Sequence, residues 1–122
     1  MVQMKTRLHV SDNAGALIAE CIKVLRKKKN PGSVGDTIVV AIKRAYPKKK
    51  VKTHDVHRGV IVKTKKKILR NQSGISVSFS KNSVVILDKK NNPLGNRIKG
   101  SVCKELRKKK FMKIISMASS IL

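Results

Sequence analysis

Positive charge without its counterweight constrains this chain more than any other property. Thirty lysines and arginines stand against six aspartates and glutamates, a formal net charge of +24. A solvated surface normally interleaves both signs, because charges of one sign repel each other and weaken the compact state. An excess this large calls for a polyanionic partner. Yet 40% of the residues are hydrophobic, which supports a packed core and is unlike a disordered basic tail. At 122 residues, the chain is expected to fold as one domain, residues 1–122, around one core.

Nucleic acid and anionic membrane are the common polyanions. Membrane binding asks for an amphipathic or spanning helix, and the longest charge-free stretches, residues 71–80 and 114–122, are too short and too polar to span. Nucleic acid is therefore the expected partner, and no membrane is. Residues 1–10 have no apolar run of the secretory kind and already read as strand, and no Arg- and Ser-rich leader is visible. Cys21 and Cys103, far apart in the chain, suit a reducing compartment and are expected as small buried or half-buried thiols rather than a disulfide.

Alternation and turn residues divide the chain into short segments. Residues 6–10 alternate and run into Ser11-Asp12-Asn13-Ala14-Gly15, a turn rich in residues that tolerate positive φ. In residues 16–25, Ile18, Ile22 and Val24 share one parity and are expected to face the core, with Glu20 as the exception. Residues 26–36 read as a turn carrying Arg26-Lys27-Lys28-Lys29 and the breaker Asn30-Pro31-Gly32. The β-branched run of residues 37–45 ends at a basic corner, Tyr46-Pro47-Lys48-Lys49-Lys50. Residues 59–63 form a short buried run, residues 64–71 a basic hairpin arm that turns at Ser73-Gly74 into residues 75–79, and residues 84–87 another buried strand.

Many short strands between turns predict a mainly β fold, a closed or nearly closed barrel. From residue 101 the period changes. Val102, Leu106 and Lys109 are spaced for a helix that Ser101 would cap, and Met112, Ile115 and Ser116 suggest a second. The expected division is a barrel over about residues 1–100 and a helical part over 101–122.

The basic residues cluster at turns, between the apolar runs. A β scaffold with cationic loops holds ammonium groups at fixed positions against backbone phosphates. The expected RNA-binding residues are Arg7, Lys23, Arg26, Lys27, Lys28 and Lys29, then Lys43, Arg44, Lys48, Lys49, Lys50 and Lys52, and along the arm Lys63, Lys65, Lys66, Lys67 and Arg70. Lys89–Lys90 and the run at 104–110 add further charge. Lys outnumbers Arg 23 to 7 by count of the sequence, which favours point-charge phosphate contacts over bidentate base reading. Tyr46, Phe79 and Phe111 are too few to make a stacking platform. The balance points to folded RNA recognised by shape and backbone, and leaves duplex DNA open.

Catalytic and metal chemistry find little to stand on. His54 and His57 would point to opposite faces of a strand, and on a loop no nearby cysteine completes a zinc set. They are expected to face solvent or phosphate. Asp12, Glu20, Asp36, Asp55, Asp88 and Glu105 never form a close pair in sequence. Asp12 and Asp36 read as turn-formers, and Glu105 as the partner of a neighbouring lysine. Neither a G-x-x-x-x-G-K-[ST] phosphate loop nor a G-x-S-x-G elbow occurs. No catalytic residue, metal or cofactor is expected, and the chain does not read as an enzyme.

The residues also carry a resemblance. Gly59-Val60-Ile61-Val62, then ten residues, Ser73-Gly74, four more, Phe79, two more, Asn82, two more and Val85-Ile86 form one ordered set. Supporting pieces are Asp12-Asn13-Ala14-Gly15-Ala16, Cys21-Ile22-Lys23-Val24-Leu25, Val34-Gly35-Asp36, Arg97-Ile98, Glu105-Leu106-Arg107 and Phe111-Met112-Lys113-Ile114-Ile115-Ser116. In these the chain resembles, from end to end, the universal large-subunit ribosomal protein family numbered fourteen, in its bacterial and organellar form.

The resemblance implies a small five-stranded β-barrel with a projecting β-ribbon and short C-terminal helices. It also implies a structural constituent of the large ribosomal subunit, bound to large-subunit ribosomal RNA on the face that meets the small subunit. There, relatives form intersubunit bridges and touch neighbouring large-subunit proteins. The bridging segment matches residues 43–48, whose Lys43, Arg44 and Lys48 suit small-subunit RNA phosphates. A second surface, on which a ribosome silencing or assembly factor docks in relatives, matches Asn96, Arg97, Ser101 and the C-terminal helix with Lys113. The chain departs from the family pattern at Asn96, Lys99, Ser101 and Ser119-Ser120. Its lysine bias and lack of a leader point to an organelle-encoded mitochondrial copy ahead of a bacterial one. The competing reading is a free nucleic-acid-compacting protein, which would bind duplex DNA as well as ribosomal RNA and would dimerise.

Overall fold

The computed structural model of the chain describes residues 1–122 except Lys27 and Lys29. In chain order its strands are β1 (Arg7–Val10), β2 (Ala16–Val24), β3 (Thr37–Ala45), β4 (Val56–Lys63), β5 (Ile68–Arg70), β6 (Ile75–Val77), β7 (Ser83–Leu87), β8 (Ser101–Val102) and β9 (Ser120–Ile121). A 3₁₀ turn, Lys104–Arg107, and one short helix, α1 (Met112–Met117), lie between the last two. The strands β1, β2, β3, β4 and β7 close in that order into a barrel. Neighbours run antiparallel except at the closing seam, where β1 and β7 are parallel. Closure removes the unpaired edges that an open sheet of this size would leave.

The alternation of β3 puts Ile38, Val40 and Ile42 into the barrel interior, as a period of two requires. The strand β7 is buried on both faces, from Ser83 to Leu87. Its outer face is covered by the segment that follows it: Leu94 N–H donates to the Ile86 carbonyl at 3.0 Å, and Leu87 bridges to Pro93. One core cluster includes Val2, these barrel residues, and Val102, Cys103, Leu106, Ile114 and Ile115 from beyond the barrel. The ribbon β5–β6 is a separate two-stranded sheet joined at Ile68↔Val77 and Arg70↔Ile75.

Two local expectations change. In β2 the buried residues are Ala16, Ala19 and Cys21, whereas Ile18 and Val24 are half-buried and Ile22 is exposed. Register irregularities against β3 between Ala16 and Ile18, Ile18 and Ala19, and Cys21 and Lys23 reverse the faces along the strand, because one added residue turns every later side chain over. Ser101 caps no helix. It lies in β8, the 3₁₀ turn starts after Cys103 without a side-chain cap, and α1 buries Ile114 and Ile115 rather than Met112 and Ser116. The barrel strands end at Leu87, and residues 88–100 pack back over the barrel, with Ile98 bridged to Asp12.

Candidate nucleic-acid interface

Folding separates the two signs of charge by what they touch. Among the described residues, every lysine and arginine is exposed except the half-buried Lys63 and Arg70. All six carboxylates, by contrast, are engaged within the chain. Asp12 accepts from Ala14 and Ile86 main-chain N–H groups, and Glu20 meets Arg7 at 3.5 Å across β1 and β2. Asp36 accepts from Ser33 N–H and Oγ and lies 3.9 Å from Lys109. Asp55 accepts from Lys52 N–H, Asp88 from Lys90 and Asn92 N–H, and Glu105 pairs with Arg70. With the carboxylates occupied in turns and ion pairs, most surface cations face solvent as an unbalanced positive shell.

Most of the residues expected to bind RNA fall on three parts of this shell. Lys23 ends the exposed face of β2, and Arg26 and Lys28 follow in the turn; Lys27 and Lys29 lie outside the described residues. Lys43 and Arg44 close β3 and lead into the exposed corner of Lys48, Lys49 and Lys50, with Lys52 just beyond. That corner is held by Tyr46 N–H donating to the Gly15 carbonyl at 2.8 Å. Gly15 sits at φ 121°, and a Cβ there would meet the Lys49 Cβ at 2.4 Å. Lys65, Lys66 and Lys67 project from the base of the ribbon, where Lys65 N–H donates to Asn82 Oδ1 at 2.8 Å and Phe79 N–H to the Thr64 carbonyl at 3.1 Å.

Four members of the set are engaged within the fold, among them Lys66, whose Nζ donates to Met1 Sδ at 3.5 Å. Arg7 faces Glu20. The Lys63 ammonium lies over the Phe79 ring, 5.8 Å from its centroid. Arg70 makes a two-point contact with Glu105, Nε to Oε1 at 2.8 Å and Nη2 to Oε2 at 3.2 Å, and Nη2 also donates to a Leu122 main-chain oxygen. The Arg70 hydrogen bonds hold the Glu105 carboxyl below the usual glutamate range, although burial opposes them. Glu105 therefore has an arginine 35 residues away as its partner rather than a neighbouring lysine; nothing local in the sequence signals that contact.

The second surface is mounted on Asn13. Its Oδ1 accepts from the N–H groups of Asn96 at 3.0 Å and Arg97 at 3.2 Å, and its Nδ2 donates to Asn96 Oδ1. Both Asn96 and Arg97 present exposed side chains. Ser101 shares a hydrogen bond with Ser120 across β8 and β9, and Lys113 Nζ donates to Asn92 Oδ1 at 3.0 Å. Sequence reasoning took Asn13 as a turn residue and missed its role as the clamp of a loop 83 residues on. It also left out Arg58, exposed on β4.

The groups that suggested other chemistry are differently disposed. His54 sits exposed in a turn at φ 71°, while half-buried His57 has Nε2 at 3.6 Å from Asp55 Oδ2. Among the described residues, no three His, Cys, Asp or Glu side chains gather to hold a metal ion. Cys21 and Cys103 are buried free thiols. Burial is the first cause raising both, and Cys103 is pushed up to about 11, with Glu105 adding to the shift. A thiol so placed stays protonated and unreactive at neutral pH. No helix among the described residues is long and apolar enough to cross a membrane. In comparison with known proteins, the family model described as ribosomal protein L14p/L23e matches residues 1–122, the whole chain.

Proposed function

The chain belongs to the ribosomal protein L14p/L23e family, and from that premise we propose that it grips large-subunit ribosomal RNA through its basic loops and helps bridge the two subunits. The family is one of structural proteins of the large ribosomal subunit and not of enzymes, so the ribosome is where this chain acts, with ribosomal RNA and other ribosomal proteins as its partners.

One observation carries the finer reading: the six carboxylates are engaged in intramolecular contacts while the lysine-rich loops face solvent. Loops on a closed barrel hold their ammonium groups at fixed spacings, which suits the phosphates of a folded RNA. Arg26, Lys28, Lys49, Lys50, Lys52, Lys65, Lys66 and Lys67 meet large-subunit RNA, and the β3 corner with Lys43, Arg44 and Lys48 reaches small-subunit RNA. Asn96 and Arg97, clamped by Asn13, and Lys113 form the surface for a neighbouring protein or a silencing factor. The lysine bias favours an organelle-encoded mitochondrial copy over a bacterial one.

Sedimentation tests this reading. The protein should travel with large subunits at moderate salt and be stripped at high salt, because binding that releases counterions weakens steeply as salt rises. A Lys43→Gln, Arg44→Gln, Lys48→Gln variant should still enter large subunits but join small subunits less well. Absence of the native protein from purified large subunits, or equal affinity for duplex DNA and ribosomal RNA, contradicts the proposal.

A further inference from the structure

Beside the end of β2 lies an open cleft whose lining combines the apolar Met4, Ile22 and Val24 with the cationic Lys23, Arg26 and Lys28. Met4 is 69% and Ile22 42% exposed. With Ala19 and Cys21 on the buried face of β2 after its earlier register shifts, Ile22 points outward, away from the core its sequence pattern suggested. The walls are fastened by main-chain hydrogen bonds. Lys5 N–H donates to the Cys21 carbonyl at 2.7 Å and Cys21 N–H to the Thr6 carbonyl at 2.9 Å, while Val2 and Gly32 exchange two bonds of 2.9 and 2.6 Å.

No carboxylate is among the described residues lining the cleft. Glu20, two residues before Ile22 on β2, already faces Arg7. What covers this surface must therefore offer an apolar face and negative charge together. Leaving the apolar side chains wet forgoes the stabilisation of burying them, and a cationic lining without carboxylates favours an anionic occupant. A nucleotide has both properties, in the two faces of its base and in its phosphate.

We propose that the cleft receives one nucleotide of ribosomal RNA whose base is turned out of its helix, the base lying on Met4 and Ile22 and the flanking phosphates on Lys23, Arg26 and Lys28. The proposal rests on the RNA-binding reading above and deepens it. Unstacked bases in RNA are commonly stacked on aromatic rings or on arginine guanidinium planes. Arg26 lines this cleft and offers such a plane, and the flexible thioether of Met4 supplies an adaptable apolar surface where no aromatic ring is present. Gln3 and Asn30 line the same cleft and supply amide donors and acceptors for a base edge.

Affinity for naked large-subunit RNA, measured over a range of salt, separates this contact from phosphate binding. Met4→Gln with Ile22→Ser should weaken binding about fivefold at every salt concentration and leave the salt slope unchanged. Lys23→Gln should instead lower the slope by about one. Base-specific chemical probing should find one unpaired nucleotide protected by the wild type and exposed with the double variant, while backbone protection elsewhere persists. Met4→Gln alone, at a residue exposed enough to leave the barrel intact, should lose part of the same protection. Unchanged affinity and protection would overturn the proposal while RNA binding itself survives. A defect seen only in assembled subunits, never with naked RNA, would assign the cleft to a neighbouring protein and overturn it as well. Wild-type protein that ignores the RNA altogether would defeat the underlying reading instead.

Discussion

Asp12 ties the barrel shut where its strands stop pairing. The partners β1 and β7 meet at His9↔Ser83 and Val10↔Val84, and beyond that point the Asp12 carboxylate takes over. Oδ2 accepts from Ile86 N–H at 3.0 Å, and Oδ1 from Ala14 N–H at 3.2 Å. Burial pushes its pKa up, and the two N–H groups pull it back. Asp12→Asn would set an amide NH₂ against one of those N–H donors, and a buried donor left without an acceptor costs about 1–3 kcal/mol. The variant should unfold at correspondingly lower denaturant, with RNA contacts unchanged in the folded state; an unchanged midpoint would mean that closure does not depend on Asp12. The sequence pattern announces the turn to Ala14, since Asp in a turn bonds two residues ahead. It does not announce Ile86, because a contact spanning 74 residues is made by the barrel and not by its neighbours in the chain.

At the level of elements, β4 and β7 pack closely at Gly59. A Cβ there would fall 2.6 Å from Val84 Cγ2 and 3.1 Å from the Val85 carbonyl oxygen. Gly59→Ala should therefore destabilise the barrel by about 1–3 kcal/mol through overpacking, read as a fall in melting temperature; a neutral effect would show that the two strands can separate freely. The short apolar runs made β3, β4 and β7 legible, because β-branched residues in two-residue alternation or in unbroken buried stretches have few other ways to be covered. The strand β2 was legible as a strand but not in its faces. Its bulges are set by pairing with β3, which parity within one strand does not contain. The helix expected from Ser101 failed for a related reason: β8 pairs with β9, nineteen residues later, and takes the residues that local spacing offered to a helix.

For the molecule as a whole, the same charge acts in opposite directions on stability and on binding. Free in solution, the +24 shell repels itself, and salt screens that repulsion as the Debye length shortens from about 30 Å at 0.01 M to about 8 Å at 0.15 M. The melting temperature of the isolated protein should rise over that range, while affinity for ribosomal RNA falls over the same range. A melting temperature that falls with added salt would mean that attraction, not repulsion, dominates the free surface. Bound RNA should stabilise the fold beyond what salt achieves, since it supplies counter-charge at fixed positions.

Sequence alone determined that this chain carries a large unbalanced positive charge, that it builds a mainly β fold from short strands, and that its basic residues gather largely at turns between its apolar runs. Those properties are local or summed: charge adds along the chain, and alternation is read from neighbours. Tertiary structure alone decided which cations stay unpaired, since Arg70 found Glu105 and Arg7 found Glu20 only when distant segments met. It also decided that Asn13 would hold the loop of Asn96 and Arg97, and that Ile22 would face outward. Register, closure and long-range hydrogen bonds depend on how segments far apart in sequence come to lie side by side, and no window of neighbouring residues contains that.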